Sequence, residues 1–268
     1  MQSIVPPVQS GVKMNRLTFF LICVFFVASG CSSKQVMTFP QRTLETAGPI
    51  AVDVQSFAGD VTVIVDESLQ NATIDVVQRI EAYPEHEEPV KQIDWTTSID
   101  QSSSGEILML KLTCDSNPLQ TVFADAVVRA PMIDNVTIRT KKGDVDVFGV
   151  TGTLEIKTSD GDVLVATPLP MNEQVTIETV RGDIRYRVRE ESAGKIDLTA
   201  VSGTTAFNMR FGEGVILPGS TGEKLRASFN HGQNDVVMRT VEGDITVDIV
   251  QNPIGDMPPF EFKWPLWQ

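Results

Sequence analysis

Short runs of alternating apolar residues recur along this chain, and a Gly-Asp step joins them in pairs. In the clearest copy, residues 136–147, one run leads to Thr140, two variable residues, Gly143-Asp144 and a second run. Strand side chains alternate between two faces, so both runs can share one buried face only if the chain bends between them. Glycine tolerates positive φ, and aspartate accepts hydrogen bonds from backbone N–H groups in turns. The pattern predicts a unit of strand, corner and strand.

The same unit occurs six times in one register. The predicted structural corners are Gly59-Asp60, Gly143-Asp144, Gly161-Asp162, Gly182-Asp183, Gly203-Thr204 and Gly243-Asp244. The glycines at 143, 161, 182 and 203 are separated by 18, 21 and 21 residues, and Gly243 follows after 40 more. Gly222-Glu223 fits the missing unit weakly, because Pro218 and Lys224 interrupt the alternation.

Units of this length that cannot bury an apolar face alone are typical of solenoids. The sequence therefore predicts an all-β fold, a single-stranded β-helix or β-solenoid with coils of about 20 residues. A β-sandwich or meander, which also has short strands and regular turns, is the alternative.

The Gly-Asp pattern stops between residues 66 and 132, where four longer apolar runs appear. An open coil edge would pair with other chains, so the end of a solenoid needs a cap. This stretch is predicted to form either wider coils or a small antiparallel sheet in the N-terminal part of the domain.

From Ala51 onward the chain resembles the bacterial family named "putative adhesin", whose activity is unknown. Members have a Gly-Asp-Val phrase near the start, a strand that ends in Arg-x-Pro, and repeated Thr-x-x-Gly-Asp phrases. Here Val128-Arg129-Ala130-Pro131 and the copies from Val136 match that order. The resemblance covers about residues 51–250 and implies a β-helix-like solenoid. Its motifs are structural, and they say little about chemistry.

The N-terminus predicts export and lipidation. Lys13 and Arg16 precede a 12-residue apolar run, residues 17–28, which is too short to span a bilayer as a helix. The following Ser29-Gly30-Cys31 resembles the lipobox of bacterial lipoproteins, with Ala28 in place of the usual leucine. The resemblance implies cleavage before Cys31 and acylation of its thiol, and Ser32 implies sorting to an outer membrane. An ordinary secretory signal is the alternative, and Met14 is a second candidate start.

These observations divide the chain into four parts. Residues 1–30 are predicted to be a lipoprotein signal peptide, 31–50 a tether, 51–250 the adhesin-like solenoid and 251–268 a tail rich in proline and aromatic residues. Two of the three tryptophans lie in the last five residues. The tail is predicted either to cap the last coil or to dock an envelope partner.

The charge of the chain excludes one class of partner. The net charge is −13, and without residues 1–30 it becomes −15, from 20 basic and 35 acidic residues. Such a surface repels phosphate backbones, so nucleic acid is not expected as a partner. The expected partners are a membrane, through the N-terminal lipid, and an envelope protein or a glycan.

The corner aspartates are the first candidates for chemistry. Asp144, Asp162 and Asp183 should stack on successive coils, about 5 Å apart, and such a column could bind Ca²⁺. Calcium-binding solenoids carry a much denser Gly-Gly-x-Gly-x-Asp repeat, so the pattern favours aspartates that cap turns. No metal, cofactor or catalytic residue is predicted.

A glycan-active enzyme, of lyase or hydrolase type, is the alternative function. Such enzymes need a carboxylate pair, or a base beside a cation, together with aromatic residues that stack on sugars. The candidates are Asp162, Asp183, Arg181 and Arg185, but aromatic residues make up only 7% of the chain. The sequence therefore favours a non-catalytic binding or structural module of the cell envelope.

Overall fold

The computed structural model describes residues 33–82, 93–103, 105–114 and 120–255. These residues form twenty β-strands and no helix. The strands are β1 Ser33–Thr38, β2 Arg42–Leu44, β3 Ile50–Gln55, β4 Val61–Val65, β5 Ala72–Ala82, β6 Asp94–Ser102, β7 Gly105–Thr113, β8 Gln120–Ala130, β9 Ile133–Arg139, β10 Val145–Phe148, β11 Leu154–Lys157, β12 Val163–Ala166, β13 Val175–Glu178, β14 Ile184–Arg189, β15 Gly194–Ser202, β16 Thr205–Met209, β17 Gly214–Ile216, β18 Lys224–Phe229, β19 Asp235–Glu242 and β20 Ile245–Val250.

Two ten-stranded sheets enclose the core. Sheet A has the order β1-β5-β8-β4-β10-β12-β14-β20-β16, with β2 also paired to β5. Sheet B has the order β17-β18-β15-β19-β13-β11-β9-β3-β7-β6. Each Gly-Asp unit places its first strand in sheet B and its second in sheet A, and neighbouring units pair in parallel. The prediction of an all-β solenoid is confirmed.

The core lies between the sheets and consists mostly of valine, isoleucine and leucine. Along β3, β11 and β13 every second residue is buried, as the alternating sequence predicts. The cross-strand register places like residues together: Leu154 pairs with Val136 on one side and Val175 on the other. β-branched side chains suit this pleated packing, which explains why the repeat is built from them.

The N-terminal part contains a wider coil, one of the two arrangements that the sequence predicted, and antiparallel strands beyond it. β7 and β8 run parallel to β3 and β4 and form a further coil with longer strands. Beyond them β6 pairs antiparallel with β7 and extends sheet B, and β5 pairs antiparallel with β8 and extends sheet A. The antiparallel strands therefore continue the two main sheets and do not form a separate small sheet.

The order of the coils differs from the order of the sequence. The coil of β19 and β20 lies between that of β13–β14 and that of β15–β16. The expectation that consecutive copies stack consecutively is wrong at this point. The other edge of β15 is occupied by the antiparallel strand β18, so the final coil pairs with the edge that faces β13.

Two further expectations change with this order. Gly222, the weak candidate for a missing corner, lies between β17 and β18 and not on a corner of the stack. The last coil in sequence also has no open edge for a tail to cap, because β19 and β20 are each paired on both sides.

The predicted signal peptide of residues 1–30, the predicted lipidation site Cys31 and residues 256–268 lie outside the described residues. Within the described ranges, no helix is long and apolar enough to cross a membrane. Part of the predicted tether is folded, because β1 and β2 pair antiparallel with β5 in sheet A. The boundaries of the other three parts stay predictions.

Candidate functional site

The predicted corner glycines form one continuous ridge along the stack. Gly59, Gly143, Gly161, Gly182 and Gly243 have φ between +115° and +155°. A Cβ on Gly143 would overlap the carbonyl oxygen of Gly59, and the same relation holds for each following corner. Along the ridge the contacts run from Ala124 through Gly59, Gly143, Gly161, Gly182 and Gly243 to Gly203. Only glycine allows the coils to approach this closely.

The aspartates that follow these glycines form a hydrogen-bonded ladder. In each step the backbone N–H of one aspartate donates to Oδ1 of the aspartate on the neighbouring coil. The distances are 3.0 Å from Asp144 to Asp60, 2.9 Å from Asp162 to Asp144, 2.8 Å from Asp183 to Asp162 and 2.8 Å from Asp244 to Asp183. These carboxylates therefore fasten each coil to the next.

Asp125, which the sequence pattern did not single out, and Thr204 of the predicted corner Gly203-Thr204 complete the ladder at its two ends. Asp125, on β8, accepts from the Asp60 backbone N–H at 2.9 Å, although no glycine precedes it. At the other end Thr204 donates its N–H and its hydroxyl to Asp244 Oδ1, at 2.7 and 2.9 Å. The parallel pairing of β8 with β4 was the missing information, because it places Asp125 beside Asp60.

Charge within the ladder is compensated at the Asp125 end. Arg79 on β5 pairs with Asp125 and lies 3.3 Å from Asp60 Oδ2. Burial raises the pKa of Asp60, and the negative charge of Asp125 raises it further. The backbone hydrogen bond from Asp144 and the positive charge of Arg79 both lower that pKa, but by less than the total increase. Arg181 precedes the Gly182-Asp183 corner, but it pairs with Asp160 at 3.2 Å and not with a ladder aspartate.

Substitutions at Asp162 separate hydrogen bonding from charge. We expect Asp162→Ala to cost about 1–2 kcal/mol, because the Asp183 N–H loses its acceptor. We expect Asp162→Asn to be neutral or slightly stabilising, because an amide oxygen still accepts and one like charge leaves the column. Urea denaturation of both variants measures the difference. Equal losses would show that the charge itself is required, as in a cation site.

The threonine of each unit holds the corner from inside. Thr140, Thr179 and Thr240 donate their hydroxyls to corner carbonyl oxygens at 3.0–3.2 Å. Thr158 occupies the equivalent position, but its buried Oγ1 has no hydrogen-bond partner.

This contrast supplies a matched pair of substitutions. Thr179→Val should cost about 1 kcal/mol, because it removes hydrogen bonds to the carbonyl oxygens of Gly161 and Arg181. Thr158→Val should be neutral or stabilising, because it removes a buried hydroxyl that is not hydrogen-bonded. Thermal denaturation of the two variants compares them directly. Similar losses in both would contradict the hydrogen-bond assignment.

The structure brings the candidate carboxylates for glycan cleavage, Asp162 and Asp183, together as neighbours on the ladder, but it engages their backbone and side chains in coil-to-coil hydrogen bonds. Asp162 and Asp183 belong to the ladder, Arg181 bonds Asp160, and Arg185 lies on β14 opposite Leu164 and Thr246. The described residues contain no group of three or more histidine, cysteine, aspartate or glutamate side chains that could hold a metal ion.

A groove of about 630 Å³ lies beside β16, at one end of sheet A. Arg187, Asn208 and Asp248 contribute its polar lining together with Arg210. Asp248 accepts from Arg187 at 3.4 Å and from Asn208 at 2.9 Å, and Arg187 also donates to the Pro253 carbonyl oxygen at 3.0 Å. These three side chains are therefore bonded to each other and to the chain.

An apolar cluster on the outer face of sheet A was not predicted. Phe148, Leu164 and Ala166 are buried there with Ile64 packed against them, separate from the core between the sheets. The sequence carried a signal for it, because Val163-Leu164-Val165-Ala166 is continuously apolar where the other units alternate. All four residues of β12 are buried.

Comparison with known families bears on this arrangement of parallel coils joined by glycine corners. The sequence profile of the Toastrack DUF4097 family matches residues 10–249. The chain belongs to that family. Toastrack DUF4097 membership agrees with the adhesin-like resemblance of the repeats. A search of curated proteins found no match.

Two solved structures resemble this Toastrack protein. A "putative cell adhesion protein" from Clostridium sporogenes ATCC 15579 has a TM-score of 0.50 and 11% identity, and the match covers 81% of this chain and 99% of that one. A "putative adhesin" from Bacteroides fragilis NCTC 9343 has a TM-score of 0.31 and 12% identity, over 81% of this chain and 98% of that one. The first shows that the two proteins share a fold.

Proposed function

We propose that this chain is a non-catalytic, adhesin-like module of the cell envelope, attached to a membrane by a lipid on Cys31. The observation that carries the proposal is the aspartate ladder. Its carboxylates accept backbone hydrogen bonds from neighbouring coils, so the repeated residues hold the stack together. Family membership and the adhesin names of the structural neighbours support the same function.

The outer face of sheet B is the proposed surface for an envelope protein or a glycan. Ten strands about 4.8 Å apart give a face about 45 Å wide. Across it Glu155 lies 3.2 Å from Arg139 and 3.3 Å from Lys157, and Lys157 lies 3.6 Å from Glu178. A broad, polar and rigid face of this kind suits binding by solenoids.

Fractionation of cells tests the anchor. Cys31→Ala should move the protein out of the membrane fraction, because the thiol that would carry the acyl chains is lost. Cys23→Ala, within the same predicted signal, is the matched control and should leave the protein in the membrane fraction. Unchanged membrane recovery of the Cys31→Ala protein would contradict lipid attachment.

Crosslinking in intact cells tests the binding surface. A photoreactive amino acid in place of Thr137 or Thr176, on the outer face of sheet B, should give products of discrete mass. The same group at Gln70, in the exposed loop after β4, is the control and should not. Depolymerisation of envelope polysaccharide by the purified protein, abolished by Asp162→Asn with Asp183→Asn, would instead establish the glycan-active enzyme.

A further inference from the structure

The apolar cluster on the outer face of sheet A is shielded from solvent like a core. Phe148 is 7% exposed, Leu164 8% and Ala166 0%. These side chains alternate with Val145, Val147, Val163 and Val165, which face the core, so they point outward. An outward face of a sheet that borders water is ordinarily polar. Exposure this low on such a face indicates that the cluster is covered.

The chain leaves the last strand in the direction of this cluster. After β20 the turn of residues 251–255 crosses onto the outer face of sheet A, where the Pro253 carbonyl oxygen accepts from Arg187 Nε at 3.0 Å. Arg187 stands on β14, in the same cross-strand row as Ala166 and Phe148. The turn is therefore held by a side chain of β14, the strand between β20 and β12.

Thirteen residues follow Gly255, and their sequence suits the surface in front of them. Phe260, Phe262, Trp264 and Leu266 alternate with Glu261, Lys263 and Pro265, the pattern of an extended segment with one apolar side. Pro258, Pro259 and Pro265 lack backbone donors, so they suit a segment that lies on a sheet face instead of joining a sheet edge.

The reach of this segment is sufficient. Ile64, the far side of the cluster, is three strands from Arg187, or about 14 Å at the usual strand spacing. Thirteen extended residues span about 43 Å. The segment can therefore cross the whole cluster and return part of the way.

We propose that residues 256–268 lie across the outer face of sheet A as an extended strap that covers Phe148, Leu164 and Ala166. The strap assigns the aromatic tail to this chain's own surface, and it leaves the outer face of sheet B as the broad face available to partners. The inference rests on sheet A and the tail alone, so it stands or fails independently of the proposed function.

Tryptophan fluorescence tests the strap. In the full-length protein purified in detergent, Trp95→Phe leaves Trp264 and Trp267 as the reporters. We expect blue-shifted emission and several-fold weaker acrylamide quenching than in the urea-unfolded protein. Leu164→Asn should increase the quenching towards the unfolded value. Val237→Asn, a similar change on the outer face of sheet B, is the matched control and should not.

Three results would overturn the strap. Quenching equal to that of the unfolded protein would show a free tail, available to dock a separate partner. Protection that Leu164→Asn leaves unchanged and Val215→Asn removes would place the tail at the β17 end of the stack. If Leu164→Asn fails to fold, thiol labelling of Leu164→Cys replaces it, in a chain in which Cys23, Cys31 and Cys114 are serine. Labelling should be slow in the full chain and fast in a chain that ends at Gly255, and equal rates would overturn the proposal.

Discussion

Replacement of Gly143 by alanine is expected to destabilise the protein by about 4 kcal/mol or more. Gly143 has a φ of +119°, and a Cβ there would overlap the Gly59 carbonyl oxygen on the neighbouring coil. Relief of that overlap requires the two coils to separate, which also weakens the hydrogen bond from the Asp144 N–H to Asp60. The midpoint of urea denaturation measures the loss.

Gly105 provides the matched control for this substitution. Its φ is +129°, close to that of Gly143, but a Cβ there would meet nothing within 4 Å. Gly105→Ala therefore reports backbone strain alone, about 1–2 kcal/mol. The excess loss in Gly143→Ala is the contribution of close coil packing. Equal losses for the two variants would mean that the ridge tolerates a side chain and that the stack is looser than described.

Asp146→Asn is expected to stabilise the protein at neutral pH by up to about 3 kcal/mol. Burial on the outer face of sheet A raises the pKa of Asp146 to about 6, and the charges of Asp144, Asp60 and Asp162 add to the shift. A carboxyl with a raised pKa in the folded state binds its proton more tightly there than in the unfolded chain. Its ionisation therefore costs stability as the pH rises through about 6.

The sign of this effect fixes the pH profile. Below about pH 3 the carboxyl is mostly protonated in both states, so Asp146→Asn and the unsubstituted protein should have similar melting temperatures. Above pH 7 the variant should melt at the higher temperature. Asp197→Asn, on the outer face of sheet B, is the control for loss of a negative charge. A melting-temperature difference at Asp146 that does not change between pH 4.5 and 7.5 would contradict the assignment.

The corners were predictable because their requirement is local. A Gly-Asp corner can be recognised from about five residues of sequence, and the structure gives these glycines a positive φ. Four of the six copies, those at 143, 161, 182 and 243, also carry a threonine three residues before the glycine. That information defines one coil and its two strand directions. The all-β solenoid followed from it, since each coil needs neighbours to bury its apolar faces.

The order of the coils was not predictable from the same information. The first strand of each unit presents two or more alternating apolar side chains, so Val236 of β19 packs as well against Val175 as against Ile196. Position in the stack depends on which edges are already paired, and β18 takes one edge of β15. That pairing is antiparallel and comes from a segment with no Gly-Asp corner, so the repeat pattern does not predict it.

The apolar cluster on the outer face of sheet A shows a different limit of prediction from sequence. Leu164 occupies a position that is polar in most units, for example Thr62 on β4 and Thr246 on β20. The position of Phe148 is polar further along sheet A, as Arg187 on β14 and Asp248 on β20. An apolar residue at one such position has little meaning alone. The three adjacent strands β4, β10 and β12 turn these separate departures into one surface, and only the cross-strand register brings them together.

The interleaved position of β19 and β20 has a consequence for assembly during synthesis. In an ordinary repeat array each new repeat adds to the end of the stack, so the N-terminal repeats can fold before the C-terminal repeats have been synthesised. Here the coil synthesised last, β19–β20, lies inside the stack, and the earlier coil β15–β16 pairs with its far side. The β15–β16 end of the stack cannot be completed until synthesis has passed residue 250. A premature stop before β19 therefore removes an interior layer, whereas the same stop in a simple repeat array would only shorten the array.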